Sequence, residues 1–217
     1  WAGSERPWHG EGTFVGEKEV TSAAAIKAAG LDWKVDLAPV YARGIEVPGH
    51  RAVMRKDTKA IFGLVSDQYE VVQNRDAFTF FDALVGRKRP AVYHTAGALG
   101  QGEKIWILAK LNEQGRPIAG KDVVERYILL ANAHDGTFSF RMMFTPIRVV
   151  CQNTLNLALG RRGGYRQYHT RGINARLSPE DARSAIGLRL EFFQQFEETA
   201  ERMAKSRMSI DELTAFT

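Results

Sequence analysis

The residue types best suited to binding chemistry are concentrated between Gly136 and Pro179. This stretch contains seven arginines and no aspartate, glutamate or lysine, whereas the whole 217-residue chain has a net charge of +5. Tyrosines and a histidine are interleaved with the arginines. Arginine presents a rigid fork of donors that matches phosphate oxygens, and aromatic rings beside a basic stripe stack on exposed bases. The pattern therefore predicts a surface that binds nucleic acid or another polyanion.

The predicted nucleic-acid-binding residues lie in this stretch and in one basic turn ahead of it. They are Arg141, Arg148, Arg161, Arg162, Tyr165, Arg166, Tyr168, His169, Arg171 and Arg176, extended by Arg87, Lys88 and Arg89. The arginines are expected to contact phosphates, and Tyr165 and Tyr168 to stack on bases. The structural alternative is a solvated loop, or arginines that pair with acids elsewhere in the fold.

A second set of residues would suit an enzyme or a small-molecule-binding protein. Cys151 is the single cysteine, and His134 beside Asp135 would serve as the base that activates its thiol. The other candidates for this alternative site are His9, Gln152 and Asn153. The structural alternative is that Cys151 is a small buried hydrophobe and that His9 caps a neighbouring group.

Other kinds of catalytic site lack the residues that they need. The glycine-rich segments at Gly10–Gly12 and Gly160–Gly164 have no following Lys-Ser or Lys-Thr to grip phosphates. The sequence contains no cysteine pair, no His-Glu-x-x-His motif and no carboxylate cluster at metal-ligand spacing. We therefore expect no metal and no cofactor, and we favour a protein without chemistry of its own, with the cysteine arrangement as the open alternative.

Composition indicates a globular protein with anionic partners. The pI is near 9.4, and the clustering of the basic residues matters more than the net charge. A single cysteine excludes an intrachain disulfide and suits a reducing compartment. No apolar run approaches the roughly 20 residues of a membrane span, and no secretory signal is visible. We expect a cytoplasmic protein that does not bind membranes.

Periodicity and turn residues predict an α+β fold, with a mainly antiparallel sheet of hairpins, flanking helices and a long C-terminal helix. Asp135-Gly136 is expected to form a tight hairpin turn, and Thr145-Pro146 to begin a helix that ends at Gly160. The predicted strands are 33–42, 51–55, 60–65, 69–73, 91–99, 104–111, 126–133 and 138–144, and the predicted helices are 21–31, 75–85 and 148–159.

Two parts are expected along the chain. Residues 1–177 form the α+β core domain, which includes the basic segment 141–176, and residues 178–217 form a C-terminal helical element. Ser178 as N-cap and Pro179 at the first helical position predict a helix of about 28 residues. The helix would pack across the sheet, or project and be buried in an oligomer. The chain begins at Trp1 and stops soon after a capping box at Ser209–Glu212, which suggests part of a longer protein.

Five segments carry a resemblance to a known family. They are PWHGEGT at Pro7–Thr13, AAGLDW at Ala28–Trp33, DQYEVVQNRDAFTFFD at Asp67–Asp82, NAHDGTFSF at Asn132–Phe140 and TPIRVVCQNTLNLAL at Thr145–Leu159. The chain resembles the phage/plasmid-like protein family known as domain of unknown function 932, which occurs in phage, plasmid and bacterial genomes. The resemblance implies a mobile-element context and a cytoplasmic protein, and it supplies no catalytic site.

A second similarity concerns the order of elements. Three strands and a helix ahead of the basic segment look like the core of Rad52-like phage single-strand annealing proteins, which form rings or filaments on DNA and use a basic groove. This is an analogy at the level of fold. We therefore predict a homo-oligomeric mobile-element protein that binds or anneals single-stranded DNA in recombination or replication. The alternatives are the site centred on Cys151, His134 and Asp135, and a protein-interaction module that uses the C-terminal helix.

Overall fold

The computed structural model describes residues 12–15, 20–85, 89–112, 117–118, 122–123, 125–149, 151–160, 164–186 and 189–205. The strands in these ranges are β1 (Gly12–Phe14), β2 (Val35–Ala42), β3 (Ile45–Arg55), β4 (Ile61–Ser66), β5 (Ala91–Leu99), β6 (Lys104–Leu111), β7 (Pro117–Ile118), β8 (Asp122–Val123), β9 (Tyr127–Ala133), β10 (Phe140–Thr145) and β11 (Tyr165–Gln167). The helices are α1 (Ser22–Ala28), α2 (Asn74–Asp82), α3 (Gln152–Leu159), α4 (Ile173–Arg176), α5 (Pro179–Ile186) and α6 (Arg189–Lys205).

The main sheet has six strands in the order β1-β5-β6-β9-β10-β11, and every neighbouring pair is antiparallel. The predicted α+β class with a mainly antiparallel sheet is therefore confirmed. β9 lies inside the sheet and all seven of its residues are buried. A strand that is covered on both faces is apolar almost throughout instead of alternating, which explains its sequence YILLANA.

The two faces of β9 belong to two different hydrophobic clusters. Ile128 and Leu130 are part of the larger cluster, which also contains the aromatic residues of α2. Leu129 packs instead with Leu155 of α3 in the smaller cluster. Because side chains alternate between the two faces of a strand, α2 and α3 cover opposite faces of the main sheet.

A small antiparallel sheet, β2-β3-β4, lies against the turn that follows β9. Trp33 and Phe62 surround the ring of His134, with ring centroids 5.6 and 5.9 Å away. Gly63 approaches the turn so closely that a Cβ atom there would lie 3.1 Å from the carbonyl oxygen of Asp135. This close approach places β4 beside the turn.

The turn between β9 and β10 is longer than predicted. Residues 134–139 separate the two strands, whereas the predicted strand bounds left only residues 134–137 between them. Gly136 has the positive φ that was expected, at 76°. The Asp135 carboxylate, however, accepts hydrogen bonds from both the N–H and the hydroxyl of Thr137, at 3.0 and 2.6 Å. These bonds stabilise a local turn at the start of a wider loop.

The prediction for the start of α3 is also wrong. The helix begins at Gln152, with Cys151 as the N-cap residue, and not at Thr145-Pro146. The Thr145 hydroxyl accepts a hydrogen bond from the Ile147 N–H at 3.0 Å, which closes a local turn that competes with a helix. The predicted strand 69–73 is reduced to one bridge, between Tyr69 and Thr170.

At the C-terminal end, the structure describes two helices, α5 and α6, and residues 187–188 between them lie outside the described residues. A single helix of the predicted length is therefore not shown. α5 begins at Pro179 as expected. The Ser178 hydroxyl accepts a hydrogen bond from the Asp181 N–H at 3.1 Å and donates one to the Asp181 carboxylate at 2.6 Å. This reciprocal pair is a capping arrangement that satisfies groups at the start of the helix.

One face of α6 packs on the main sheet. Phe193 is only 2 % exposed and meets the ring of Phe144 edge-on. The Arg126 guanidinium lies over the Phe193 ring and forms an ion pair with Glu197, one helical turn further along. In the part of the chain that the structure describes, no helix is long and apolar enough to cross a membrane.

Candidate nucleic-acid interface

A surface cleft of about 480 Å³ lies at one edge of the molecule, where the small sheet meets the main sheet. Its walls come from β4, from the loop between β9 and β10, and from β11 with the residues that follow it. Four of the predicted nucleic-acid-binding residues line the cleft, namely Arg141, Arg166, Tyr168 and His169. Segments about a hundred residues apart in sequence thus meet at one surface.

Arg141 and Arg166 are directly opposite each other on β10 and β11. Arg141 is held in place because its Nε donates to the Ser139 hydroxyl at 3.2 Å and its Nη1 donates to the Leu159 carbonyl oxygen at 3.3 Å. Arg166 is exposed, and its side chain forms no hydrogen bond with a described residue. Residues opposite each other on antiparallel strands have Cβ atoms about 5 Å apart. The two guanidinium groups therefore share one region of the cleft.

The electrostatics of this arginine pair favour an anion. Burial and the adjacent Arg166 both lower the pKa of the Arg141 guanidinium. Among the described residues, no carboxylate forms an ion pair with Arg141 or Arg166. The acid that also lines the cleft, Asp135, is already paired with Lys104 at 2.8 Å. The alternative in which these two arginines pair with acids in the fold is thus not what the structure shows.

Tyr168 is the aromatic side chain presented to solvent at the cleft, and it is 63 % exposed. The residues after it are fixed to the chain that follows β4. The Glu70 N–H donates to the His169 carbonyl oxygen at 3.1 Å, and the Glu70 carboxylate accepts from the Gly172 N–H and the Asn174 side chain, both at 2.6 Å. An exposed ring on an anchored backbone is well suited to stacking, because little conformational freedom remains to be lost.

His169 forms part of the support of the cleft rather than its exposed surface. Its ring is buried and stacks on Tyr69, with centroids 4.8 Å apart. Burial lowers the pKa of His169, so the ring is neutral near pH 7. We therefore assign His169 a positioning role, in contrast to the predicted direct contact.

Tyr165 does not lie with the arginine pair. It occupies the other face of β11, where it stacks on Phe80 with centroids 5.3 Å apart. Its hydroxyl donates to the Arg176 carbonyl oxygen at 2.8 Å. Tyr165 precedes Arg166 in a strand, so the two side chains point to opposite faces. The prediction that Tyr165 is an exposed stacking residue is corrected for this reason.

The other predicted basic residues are distributed around the molecule. Arg171 and Arg176 are exposed in the chain after the cleft, and the Arg176 guanidinium donates to the Arg171 carbonyl oxygen at 3.0 Å. Arg148 follows the end of β10, and Arg89 precedes β5, so both lie at the opposite end of the main sheet from the cleft. The remaining four, Arg161, Arg162, Arg87 and Lys88, lie outside the described residues.

The structure separates the members of the predicted cysteine site. Cys151 begins α3, which covers one face of the main sheet, whereas the ring of His134 lies with the cluster on the other face. The Cys151 thiol is within 3.5 Å of the Thr154 hydroxyl. His134 therefore cannot act as a base for Cys151 in this arrangement, since proton transfer needs hydrogen-bond distance.

His134 is completely buried and structural. Its Nε2 donates to the Asn74 side-chain oxygen at 2.8 Å, because the Asn74 amide nitrogen is committed to the Leu31 carbonyl oxygen at 3.0 Å. Burial, reinforced by His169, lowers the pKa of His134 to about 3. The ring is therefore neutral over the physiological range.

Of the remaining members of the alternative site, Gln152 and Asn153 follow Cys151 in α3. The Gln152 amide donates to Asn156 at 2.7 Å along α3, and Asn153 is exposed on the same helix. His9 lies outside the described residues. Within the described ranges, no group of three or more histidine, cysteine, aspartate or glutamate residues is arranged to hold a metal ion.

Several residues of the cleft were not predicted from sequence. Leu64 and Ser66 of β4 and Thr137 and Phe138 of the loop line it. Their types occur throughout the chain, and no charge or motif distinguishes them. Only Thr137 had a local signal, as the residue that follows Asp135-Gly136 in a turn.

Comparison with known proteins identifies a family and no relative of known activity. The profile of a family described as a domain of unknown function, DUF932, matches residues 61–217. Two of the five resembling segments, Pro7–Thr13 and Ala28–Trp33, precede the matched range. A search of curated proteins gave no match, and a search of solved structures also gave none.

Proposed function

The chain belongs to the DUF932 family, and from that premise we propose that it binds single-stranded nucleic acid through the cleft between the two sheets. The observation that carries this proposal is the pair Arg141 and Arg166, opposite each other with no carboxylate partner among the described residues. Two adjacent guanidinium groups repel each other unless an anion lies between them. Arginine forks fit phosphate oxygens well, and a nucleic acid supplies phosphates in a row.

The preference for single strands rests on Tyr168. An exposed ring beside a phosphate-binding pair offers a stacking platform, and stacking needs a base that is not enclosed in a duplex. The exposed Arg171 and Arg176 follow Tyr168 in the chain. They extend the basic surface along the path that a bound strand would take.

Two resemblances support a proposed biological setting. The resemblance to phage/plasmid-like proteins supports a mobile-element context and a cytoplasmic location. The Rad52-like analogy supports annealing in DNA recombination or replication by a homo-oligomer. In support of the analogy, β6, β9 and β10 are neighbours in the main sheet and α3 follows them, although the short strands β7 and β8 come between β6 and β9 in the chain. No step of this function requires a cofactor or bond chemistry.

The test is fluorescence anisotropy of the whole chain with labelled single-stranded and double-stranded DNA across a salt series. We expect binding to the single strand that weakens as salt rises, because bound arginines displace counterions from the phosphates. Weaker binding to the duplex is expected at every salt concentration. Absence of binding to either DNA at about 50 mM salt, where counterion release still favours association, would refute the proposed function.

A further inference from the structure

The cleft has two walls of different chemistry. One wall carries the arginine pair, Arg141 and Arg166. The other is contributed by β4, where Leu64 is 61 % exposed although it is a large apolar residue. Tyr168 stands at the cleft beside both. A surface with cations on one side and apolar and aromatic groups on the other matches an amphipathic ligand that carries a phosphate.

The size of the cleft suits a small ligand unit rather than a whole duplex. Its volume of about 480 Å³ lies within the range of about 300–1,000 Å³ that is usual for small-molecule sites. The hydroxyls of Ser66 and Thr137 also line it. The Ser66 hydroxyl offers a donor and an acceptor to the polar edge of a base or to a sugar, and the Thr137 hydroxyl, which donates its proton to Asp135, offers an acceptor.

We propose that the cleft holds one unstacked nucleotide of the bound strand, with its phosphate at Arg141 and Arg166 and its base against Leu64 and Tyr168. This inference rests on the proposed function, because it names the unit of the strand that the same cleft takes. It also supplies a physical reason for single-strand preference. A paired base must leave its duplex before it enters such a cleft, and that step costs a few kcal/mol.

The construction of the cleft supports a fixed nucleotide position. Leu64 belongs to β4, which is paired with β3 and lies close to the turn after His134. Tyr168 is followed by residues that are tied to Glu70. Both apolar contacts are therefore placed by ordered backbone before a ligand arrives, and that lowers the entropic cost of binding.

The experiment compares two strands of equal length, an oligothymidylate and a strand made of abasic deoxyribose phosphates. Both present the same phosphates, and only the first presents bases. Their affinities are measured for the wild-type chain and for Tyr168→Ala and Leu64→Ser. Tyr41→Ala and Leu157→Ser are the matched controls, because these residues are of the same type and are 59 % and 62 % exposed elsewhere on the surface.

We expect Tyr168→Ala to weaken binding of oligothymidylate by about 5-fold or more, as loss of one base stack does, and to leave the abasic strand unaffected. Leu64→Ser should show the same selectivity with a smaller factor. Equal weakening on both strands, or none on either, would overturn the nucleotide site and leave strand binding intact. If neither strand binds the wild-type chain, the proposed function itself fails. The controls should bind both strands as the wild type does.

Discussion

Arg141 and Arg166 are cross-strand partners at the edge of the main sheet, and both point into a cleft where no described acid neutralises them. Like charges directly opposite each other destabilise a sheet, so the fold carries a local cost at this position. Such a cost is typical of sites that wait for a ligand of opposite charge. We propose this pair as the phosphate-binding centre of the molecule.

Replacement of Arg166 should therefore lower the affinity for DNA without lowering the stability of the fold. In Arg166→Gln the side-chain stem is kept and the repulsion is removed, so we expect the free energy of unfolding to stay equal or to rise by about 0.2–1 kcal/mol. Affinity for single-stranded DNA should fall in the same variant. Denaturant unfolding and anisotropy measure the two effects. A clear loss of stability would show that Arg166 is a structural residue and not a ligand-binding one.

At Glu70, the effect of charge on DNA affinity and the effect of backbone anchoring are expected to oppose each other. Glu70→Ala makes the chain more positive, and by charge alone it should bind DNA more tightly. It also removes the carboxylate that holds the Gly172 N–H and the Asn174 side chain. We expect weaker binding, because the backbone after Tyr168 loses its anchor.

The control for this variant is Glu46→Ala, which changes the charge equally at an exposed ion pair with Arg51. Its affinity for DNA should stay the same or rise slightly. If Glu70→Ala and Glu46→Ala behave alike, the anchored segment after Tyr168 has no part in binding.

His134 should make the fold sensitive to mild acid. Burial lowers the pKa of His134 to about 3, whereas an unfolded histidine has a pKa of about 6.5. As the pH falls, the unfolded chain therefore binds the proton first. The contribution of neutral His134 to the free energy of unfolding is fully present above about pH 6.5 and falls by up to about 1.4 kcal/mol per pH unit below it. His169, whose pKa is also lowered, acts in the same direction.

The measurement is the free energy of unfolding between about pH 7 and pH 5, above the range in which carboxylates titrate. His134→Gln should reduce the pH slope even though it lowers the absolute stability. His50→Gln, at an exposed histidine, should retain the full slope. A wild-type stability that does not change over this range would contradict the assignment of a buried neutral His134.

The ion pair of Arg126 with Glu197 should hold α6 on the main sheet. Both side chains are largely buried, so Glu197→Ala leaves a buried guanidinium without this partner. Breaking a buried pair in this way typically costs about 3–5 kcal/mol of unfolding free energy. Replacing both residues with methionine should restore much of that loss.

Chemical denaturation of the wild-type chain, of Glu197→Ala and of the double methionine variant measures this effect. Glu46→Ala serves again as a control, because an exposed ion pair contributes only about 0–1 kcal/mol. If Glu197→Ala is as mild as the control, then this ion pair contributes little, and the packing of Phe193 against Phe144 is what holds α6 on the main sheet.

The sequence alone predicted strands of the main sheet where the strand residues and the turn residues between them indicated the same hairpin. The apolar content of β5 and β6 and the glycines between them predict a hairpin, and both strands have the expected bounds. At Thr145-Pro146 the same residues suit a helix start and a local turn, and the structure has the turn. The hydrogen bond from the Ile147 N–H to the Thr145 hydroxyl stabilises the turn, and the sequence pattern does not show which of the two local structures forms.

From the sequence, the candidate site was predicted only where its residues belong to the arginine-rich stretch. Arg141, Arg166 and Tyr168 were identified because an arginine stripe with aromatic residues is recognisable without a structure. The face of β11 on which the Tyr165 side chain lies was not predicted, since it depends on β11 being a strand paired with β10. The wall that includes Leu64 comes from a segment about a hundred residues earlier, and only the tertiary fold brings it to the cleft.

The most direct test of the central claim is the salt dependence of single-stranded DNA binding by Arg141→Gln/Arg166→Gln. Its control is Arg51→Gln/Arg75→Gln, which removes the same charge from two exposed ion pairs. The slope of log affinity against log salt should become shallower by about 0.7 for each lost phosphate contact, and the control should keep the wild-type slope. Equal slopes in the two double variants would show that the cleft arginines do not bind phosphate.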